Sequence, residues 1–188
     1  MLTTTLVSKE EYFEELLKSD VKLEYHAGEI VAMAGAQAPH NIVAMNLAGE
    51  LFACLKKAGC MIVGSDQLVK VAACDRYTFP DLIIVCKKPI YEKSPNGLDA
   101  LENPEIIIEV SSDSTELYDR SEKFACYQTL QSLKEYVLVA SKKKQVEVFR
   151  RFNENEWILH TYSEKDNLVK IGNCEVLLDD IYNKVSIV

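Results

Sequence analysis

Two carboxylates stand inside strongly apolar runs of this sequence. Glu109 follows Ile106-Ile107-Ile108 and precedes Val110, and Asp81 comes between Phe79-Pro80 and Leu82-Ile83-Ile84-Val85. Both runs have the length and branched aliphatic content of core strands. A carboxylate placed among such residues loses its hydration, so it must be protonated, paired with a cation or bound to a metal ion. Two such acids on core strands point to a metal site.

A third ionisable group belongs with them. When residues 115–130 are stepped at 100° each, Leu117, Phe124, Cys126, Tyr127 and Leu130 fall on one half of a helix. Tyr118, Ser121, Glu122, Gln128 and Thr129 fall on the other half, but Asp119 and Lys123 lie within the apolar one. An ammonium in a packing stripe is expensive unless it meets an anion, and Glu109 or a phosphate would serve. Alternatively Lys123 snorkels out, or bridges to Asp119 at i,i+4. Asp81 could likewise cap a turn after Pro80, and Glu109 could make an internal hydrogen bond. All three meeting at one sheet end would supply two acids and an amine, the set that metal-assisted hydrolysis needs.

The elements that would position them are legible in outline. Ser8 and Glu11 form a capping box for a first helix to about Lys18, with Tyr12, Phe13, Leu16 and Leu17 on its apolar side. A hairpin follows, Lys22-Leu23-Glu24-Tyr25-His26 and Glu29-Ile30-Val31-Ala32-Met33 around Ala27-Gly28. Pro39 opens a long helix to about Ala58, packed through Ile42, Met45, Leu47, Leu51, Phe52 and Leu55. Strands are expected at about Cys60 to Val71, Thr78 to Cys86 and Glu105 to Ser111. A second long helix is expected from about Thr115 to Leu130, capped by Asp113 or Ser114. Strands at 135–139, 146–150 and 157–162 then make an antiparallel meander, and a terminal piece around 178–182 packs back on it. Pro89 to Pro104, with the turn signal Ser94-Pro95-Asn96-Gly97, is the only linker-like stretch. The pattern reads as α/β with a mixed central β-sheet flanked by helices.

The 188 residues suit one domain, 1–188, with a sizeable core. No apolar run approaches the roughly 20 residues of a membrane span, and Met1-Leu2-Thr3-Thr4-Thr5 lacks a signal peptide's basic start, so the cytoplasm is the expected location. The six cysteines lack CxxC spacing and sit mostly among apolar neighbours, so they read as reduced core residues. A net charge of −8 argues against general affinity for nucleic acid, although basic clusters remain at Lys56-Lys57, Lys87-Lys88, Lys142-Lys143-Lys144 and Arg150-Arg151.

Pro80-Asp81 with Glu109 resembles the PD-(D/E)XK nuclease superfamily. More narrowly, the order of elements is similar to a restriction-endonuclease-like branch, the Uma-type family, numerous in cyanobacteria and first catalogued as a domain of unknown function. The residues that carry this likeness are Tyr25-His26-Ala27-Gly28-Glu29-Ile30, His40, the run 109–115, Asp119, Lys123 and Tyr127. One departure is Ser111, which stands where the superfamily's strand lysine usually does; in the resembling branch that lysine has moved to the next helix, where Lys123 lies.

The resemblance implies a restriction-endonuclease-like core and phosphodiester hydrolysis of DNA. Asp81, Glu109 and the carbonyl of Val110 would hold Mg²⁺ or Mn²⁺, and Lys123 would orient or deprotonate water. Glu29 would supply another acid, while His40, Gln67, Asp119 and Tyr127 are accessory candidates. Cutting both strands of a duplex implies a homodimer. Two alternatives stay open: a catalytically inactive nuclease-fold binding or scaffold protein, and a metal-dependent nuclease acting on RNA or a smaller phosphate ester.

Overall fold

The computed structural model describes residues 6–93, 97–112 and 115–187. The leader reading at 1–5, most of the Ser94-Pro95-Asn96-Gly97 turn and the Asp113 or Ser114 cap lie outside the described residues.

Helix α1 (Lys9–Lys18) begins with the expected box, Ser8 Oγ accepting from Glu11 N at 3.2 Å and Glu11 Oε2 from Ser8 N at 2.8 Å. It buries Tyr12 and Phe13 against Tyr25 and Tyr77, whereas Leu17 is exposed. Strands β1 (Leu23–His26) and β2 (Glu29–Ala32) form the hairpin, turning on Ala27 and Gly28, both at positive φ. Helix α2 (Ala38–Lys57) has Pro39 in its first turn, where a missing N–H costs nothing. Its buried face is Val43, Leu47, Leu51 and Leu55; Met45 (69% exposed) and Phe52 (56%), expected in that face, point to solvent.

The expected strand from Cys60 to Val71 is two strands, β3 (Met61–Gly64) and β4 (Val69–Val71), parted by a turn at Ser65-Asp66. Next come β5 (Arg76–Thr78) and β6 (Leu82–Val85). The linker-like stretch holds two short strands, β7 (Tyr91–Lys93) and β8 (Asp99–Leu101), and is therefore part of the fold. After β9 (Ile106–Ser111), the helical segment 116–127 leads to β10 (Glu135–Ala140), β11 (Gln145–Arg151) and β12 (Trp157–Ser163). A hairpin of β13 (Leu168–Ile171) and β14 (Cys174–Leu177) and a last turn of helix, Leu178–Ile181, complete the order.

The fold is mixed α/β with flanking helices, as expected, and among the described residues its mixed sheet structure is divided between two six-stranded sheets. One runs β2-β1-β5-β4-β8-β7 and the other β12-β11-β10-β9-β6-β3. In the second, β9 is parallel to β10 and antiparallel to β6. Side chains alternate across it. Ile106, Ile108 and Val110 pack on the α2 side, while Ile107, Ile83 and Val85 face Phe124 and Tyr127 of the 116–127 helix. Glu109 shares the face of Ile107. Because Leu82 pairs with Ile108, continuing the antiparallel register by one residue sets Asp81 beside Glu109.

All six cysteines are paired, which corrects the expectation of reduced thiols. Cys54–Cys174 ties α2 to β14, Cys60–Cys86 ties the ends of β3 and β6, and Cys74–Cys126 ties the 3-10 turn Ala72–Cys74 to the 116–127 helix. The partners are 120, 26 and 52 residues apart, so tertiary packing alone brings them together and local spacing carries no trace of it.

Candidate active site

Lys123 reaches Glu109, its Nζ standing 2.9 Å from Oε1, and lies 3.8 Å from Asp119 Oδ1. All three side chains are buried: Lys123 is 6% exposed, Glu109 4% and Asp119 5%. The helix that carries the pair is irregular, with Asp119–Lys123 forming a π turn between α-helical Glu116–Tyr118 and Phe124–Tyr127. Such turns are frequent at functional sites. The irregularity also explains why Leu117, placed in the apolar half by regular stepping, is exposed.

Tyr127 donates its hydroxyl to Glu109 Oε1 at 3.1 Å and is itself 3.0 Å from Thr78 Oγ1. Burial, and then the Glu109 charge, drive the Tyr127 phenol well above its ordinary range, so it remains a neutral donor. Tyr136 Oη donates to the Asp119 carbonyl at 2.9 Å and helps to fix the π turn.

Asp81 faces the same space from the bend before β6. Its Oδ2 accepts from Val110 N at 2.7 Å and lies 3.1 Å from His40 Nε2, in the first turn of α2. Burial would lower the His40 pKa, but the Asp81 carboxylate outweighs it and raises it. A cavity of about 570 Å³ is lined by Glu24, His40, Asp81, Glu109, Val110, Asp119 and Lys123, among others.

Glu24 has a place here that the sequence did not disclose. It is buried on β1, with Oε1 accepting from Phe79 N at 2.9 Å and Oε2 3.1 Å from His26 Nε2. Within Leu23-Glu24-Tyr25 it looks like the outward polar member of an alternating strand, so only the tertiary contact reveals it. Glu29, the expected acid, is exposed and does not line the cavity. The reason is position along the hairpin: Val31, paired with Glu24, and Ala32 line the cavity, whereas Glu29 pairs with His26 beside the turn. Gln67 also departs from expectation. It lies in the bend between β3 and β4 and donates to the Leu68 and Asp99 carbonyls, at 2.9 and 2.8 Å, within a neighbouring cavity that also touches His40 and Asp81.

Four carboxylates, Glu24, Asp81, Glu109 and Asp119, thus line a cavity shared with the Lys123 and Lys142 ammonium groups and the His40 imidazole. Burial pushes the Glu109 carboxyl up to about 8, with Lys123 opposing and Asp81 and Asp119 reinforcing the rise. Burial likewise raises Asp119. Lys123 is raised well above its ordinary value, because Glu109, Glu24 and Asp119 outweigh its desolvation. Among the described residues no three His, Cys, Asp or Glu side chains form a ready metal cage. The surplus of hard oxygen donors over cations nevertheless fits a divalent ion, which would offset the burial and the neighbouring carboxylates that raise the Glu109 carboxyl.

This is an α/β protein of restriction-endonuclease-like fold, with its acids at one end of a mixed sheet. It is structurally similar to a crystal structure from Anabaena variabilis described as a "putative nuclease belonging to DUF820", with a TM-score of 0.66, 17% identity, and coverage of 90% of this chain and 96% of that one. The family pattern of Uma2, described as "Putative restriction endonuclease", matches residues 10–174, and the chain belongs to that family. Two Synechocystis proteins are also similar. The uncharacterized protein sll1609 is 31% identical over 157 residues, 84% of this chain and 88% of the relative; slr1290 is 30% identical over 177 residues, 94% and 91%. No helix among the described residues is long and apolar enough to cross a membrane.

Proposed function

We propose that residues 1–188 form one nuclease domain that hydrolyses phosphodiester bonds of DNA with Mg²⁺ or Mn²⁺. The observation that carries this reading is the buried 2.9 Å contact between Lys123 and Glu109 in a cavity shared with Asp81. Asp81, Glu109 and the Val110 carbonyl would hold the ion, which when bound polarises the scissile phosphate and acidifies water. Lys123 orients the attacking water and offsets the charge that develops on phosphorus. Asp119 and Tyr127 hold Lys123 and Glu109 in register. His40 holds Asp81 at the cavity wall. Glu24 takes the part first expected of Glu29, adding negative charge beside Lys123. The proposed compartment is the cytoplasm, and the proposed assembly is a homodimer, since two strands call for two sites.

The test is cleavage of single-stranded, duplex and branched DNA, and of RNA, in Mg²⁺ and Mn²⁺. Cleavage that Asp81→Ala and Glu109→Ala both abolish supports the reading; cleavage indifferent to both refutes it.

A second reading, a nuclease-fold scaffold without catalysis, is favoured by one observation. Each acid already has internal partners, Asp81 with Val110 N and His40, and Glu109 with Lys123 and Tyr127. Calorimetric titration with Mn²⁺ separates the two, because a scaffold shows no binding that depends on Asp81.

A further inference from the structure

The second sheet ends at β12, which among the described residues is hydrogen-bonded on one side, to β11. A free edge presents a row of unpaired N–H and C=O groups, and proteins that stay apart blunt such edges with lysine, proline or a very short strand. β12 uses none of these devices. It is seven residues long and holds no Lys, Arg, Asp, Glu or Pro. Ile158 and Leu159, on opposite faces of the strand, are 45% and 46% exposed, and Phe152 in the preceding turn is exposed as well.

The other edges of the two large sheets are committed or charged. β2 gives Val31 and Ala32 to the reaction cavity. β7 is three residues long, and its Glu92 is held by Lys70 and Tyr77. β3 is four residues long and half-buried from Met61 to Val63. A chain of net charge −8 repels its own copy, so contact between copies is least opposed along a stretch that bears no carboxylate.

We infer that β12 pairs antiparallel with β12 of a second copy, about a two-fold axis beside His160, joining two six-stranded sheets into one of twelve strands. The inference rests on the nuclease reading for its purpose and names the surface that brings two sites together. A two-fold axis perpendicular to the sheet sets Leu159 opposite the second copy's Thr161 and keeps every side chain on its own face. Like charges meet only past the strand ends, where Glu156 faces the second copy's Glu164, and both are exposed.

The strand registers then place the acids. Glu109 is level with Leu138 on β10, Leu138 with Glu147 on β11, and Glu147 with Thr161 on β12. Paired residues share a face, so Glu109 lies on the Thr161 face, three strands in from the edge and one residue from the axis. Three strand intervals in each copy and one between them separate the two Glu109 residues. At about 4.8 Å per interval that is roughly 34 Å before sheet twist shortens it. One turn of duplex is also about 34 Å long, so two cavities on one face can engage a single duplex.

Light scattering on the full chain tests this. Wild type should have twice the 21.2 kDa mass of the chain. Leu159→Lys/Thr161→Lys, at two exposed positions, sets lysines opposite one another and should run at the mass of one chain, as should Leu159→Glu/Thr161→Glu. Mixing these two variants should restore a dimer, which also shows that both are folded. Phe52→Lys, a charge added at an exposed apolar residue of α2, should remain dimeric. In wild type, amide exchange at residues 157–163 should slow as protein concentration rises. A wild-type monomer overturns the inference, and so does a dimer that the lysine variant leaves intact or exchange at 157–163 that is indifferent to concentration. A β12 dimer that cleaves no nucleic acid removes the nuclease reading and leaves the interface standing, whereas a monomer that cleaves does the reverse.

Discussion

Lys123 and Glu109 meet in a buried contact, Nζ to Oε1 at 2.9 Å, which is an ion pair wherever Glu109 is ionised. Removing one partner leaves the other stranded. Lys123→Met should destabilise the fold by about 3–5 kcal/mol, the usual result of breaking a buried pair. Adding Glu109→Gln should restore much of that, and urea unfolding of the two single variants and the double variant measures the coupling.

The pH dependence follows from Glu109, which burial pushes up to about 8. A metal ion needs the ionised carboxylate, so binding below that value must release a proton. Mn²⁺ affinity should rise roughly tenfold per pH unit toward pH 8 and level off above it. The stability effect has the opposite sign: the folded state holds this proton more tightly than the unfolded chain does, so the Glu109 contribution to stability declines as pH rises from about 4.5 to 8. Calorimetry and urea unfolding at several pH values, wild type against Glu109→Gln, check both.

Glu24 and Glu29 are separated by a single turn yet should behave differently. Glu24→Gln keeps an acceptor for Phe79 N but removes a charge beside Lys123, and cleavage should fall at least tenfold. Glu29→Gln, on the exposed edge strand, should stay within about twofold of wild type. Initial rates on one duplex substrate decide it.

Tyr127→Phe deletes the hydroxyl that holds Glu109 and contacts Thr78. It should cost about 1–3 kcal/mol, because two buried polar groups lose a partner. Thermal unfolding and cleavage rates should fall together.

The three disulfides predict that protein purified without reductant shows no free thiol on denaturation. Reduction should lower Tm by several degrees, chiefly through Cys54–Cys174, whose loop is the longest. Six titrating thiols would contradict the pairing. The reducing cytoplasm proposed for this chain normally opens such bonds, so a cell extract prepared with rapid thiol blocking is the natural second sample.

What was legible in the sequence were features written into local pattern. Ser8 and Glu11 cap α1 as a capping box requires, and the apolar runs around Asp81 and Glu109 are strands, because aliphatic β-branched runs have few alternatives. The misplaced polarity of Asp119 and Lys123 also proved informative, since both are buried. Three things were hidden for physical reasons. A π turn breaks the 100° step on which Leu117 was placed. The burial of Glu24 and the exposure of Glu29 depend on which end of the β1–β2 hairpin meets the cavity, and that is a tertiary property. Cysteine pairing depends on distances that only the folded chain defines. Met45 and Phe52 illustrate the same limit, being apolar residues on a helix whose buried stripe runs through Val43, Leu47, Leu51 and Leu55.

In the hydrolytic mechanism Asp81 and Glu109, with Lys123 beside them, bind a divalent ion. Anomalous diffraction from crystals soaked in Mn²⁺ should show a peak within coordination distance of both carboxylates and the Val110 carbonyl, lost in Asp81→Ala. Saturating Mn²⁺ with no peak between those two side chains, and the Lys123 to Glu109 contact unaltered, would contradict it.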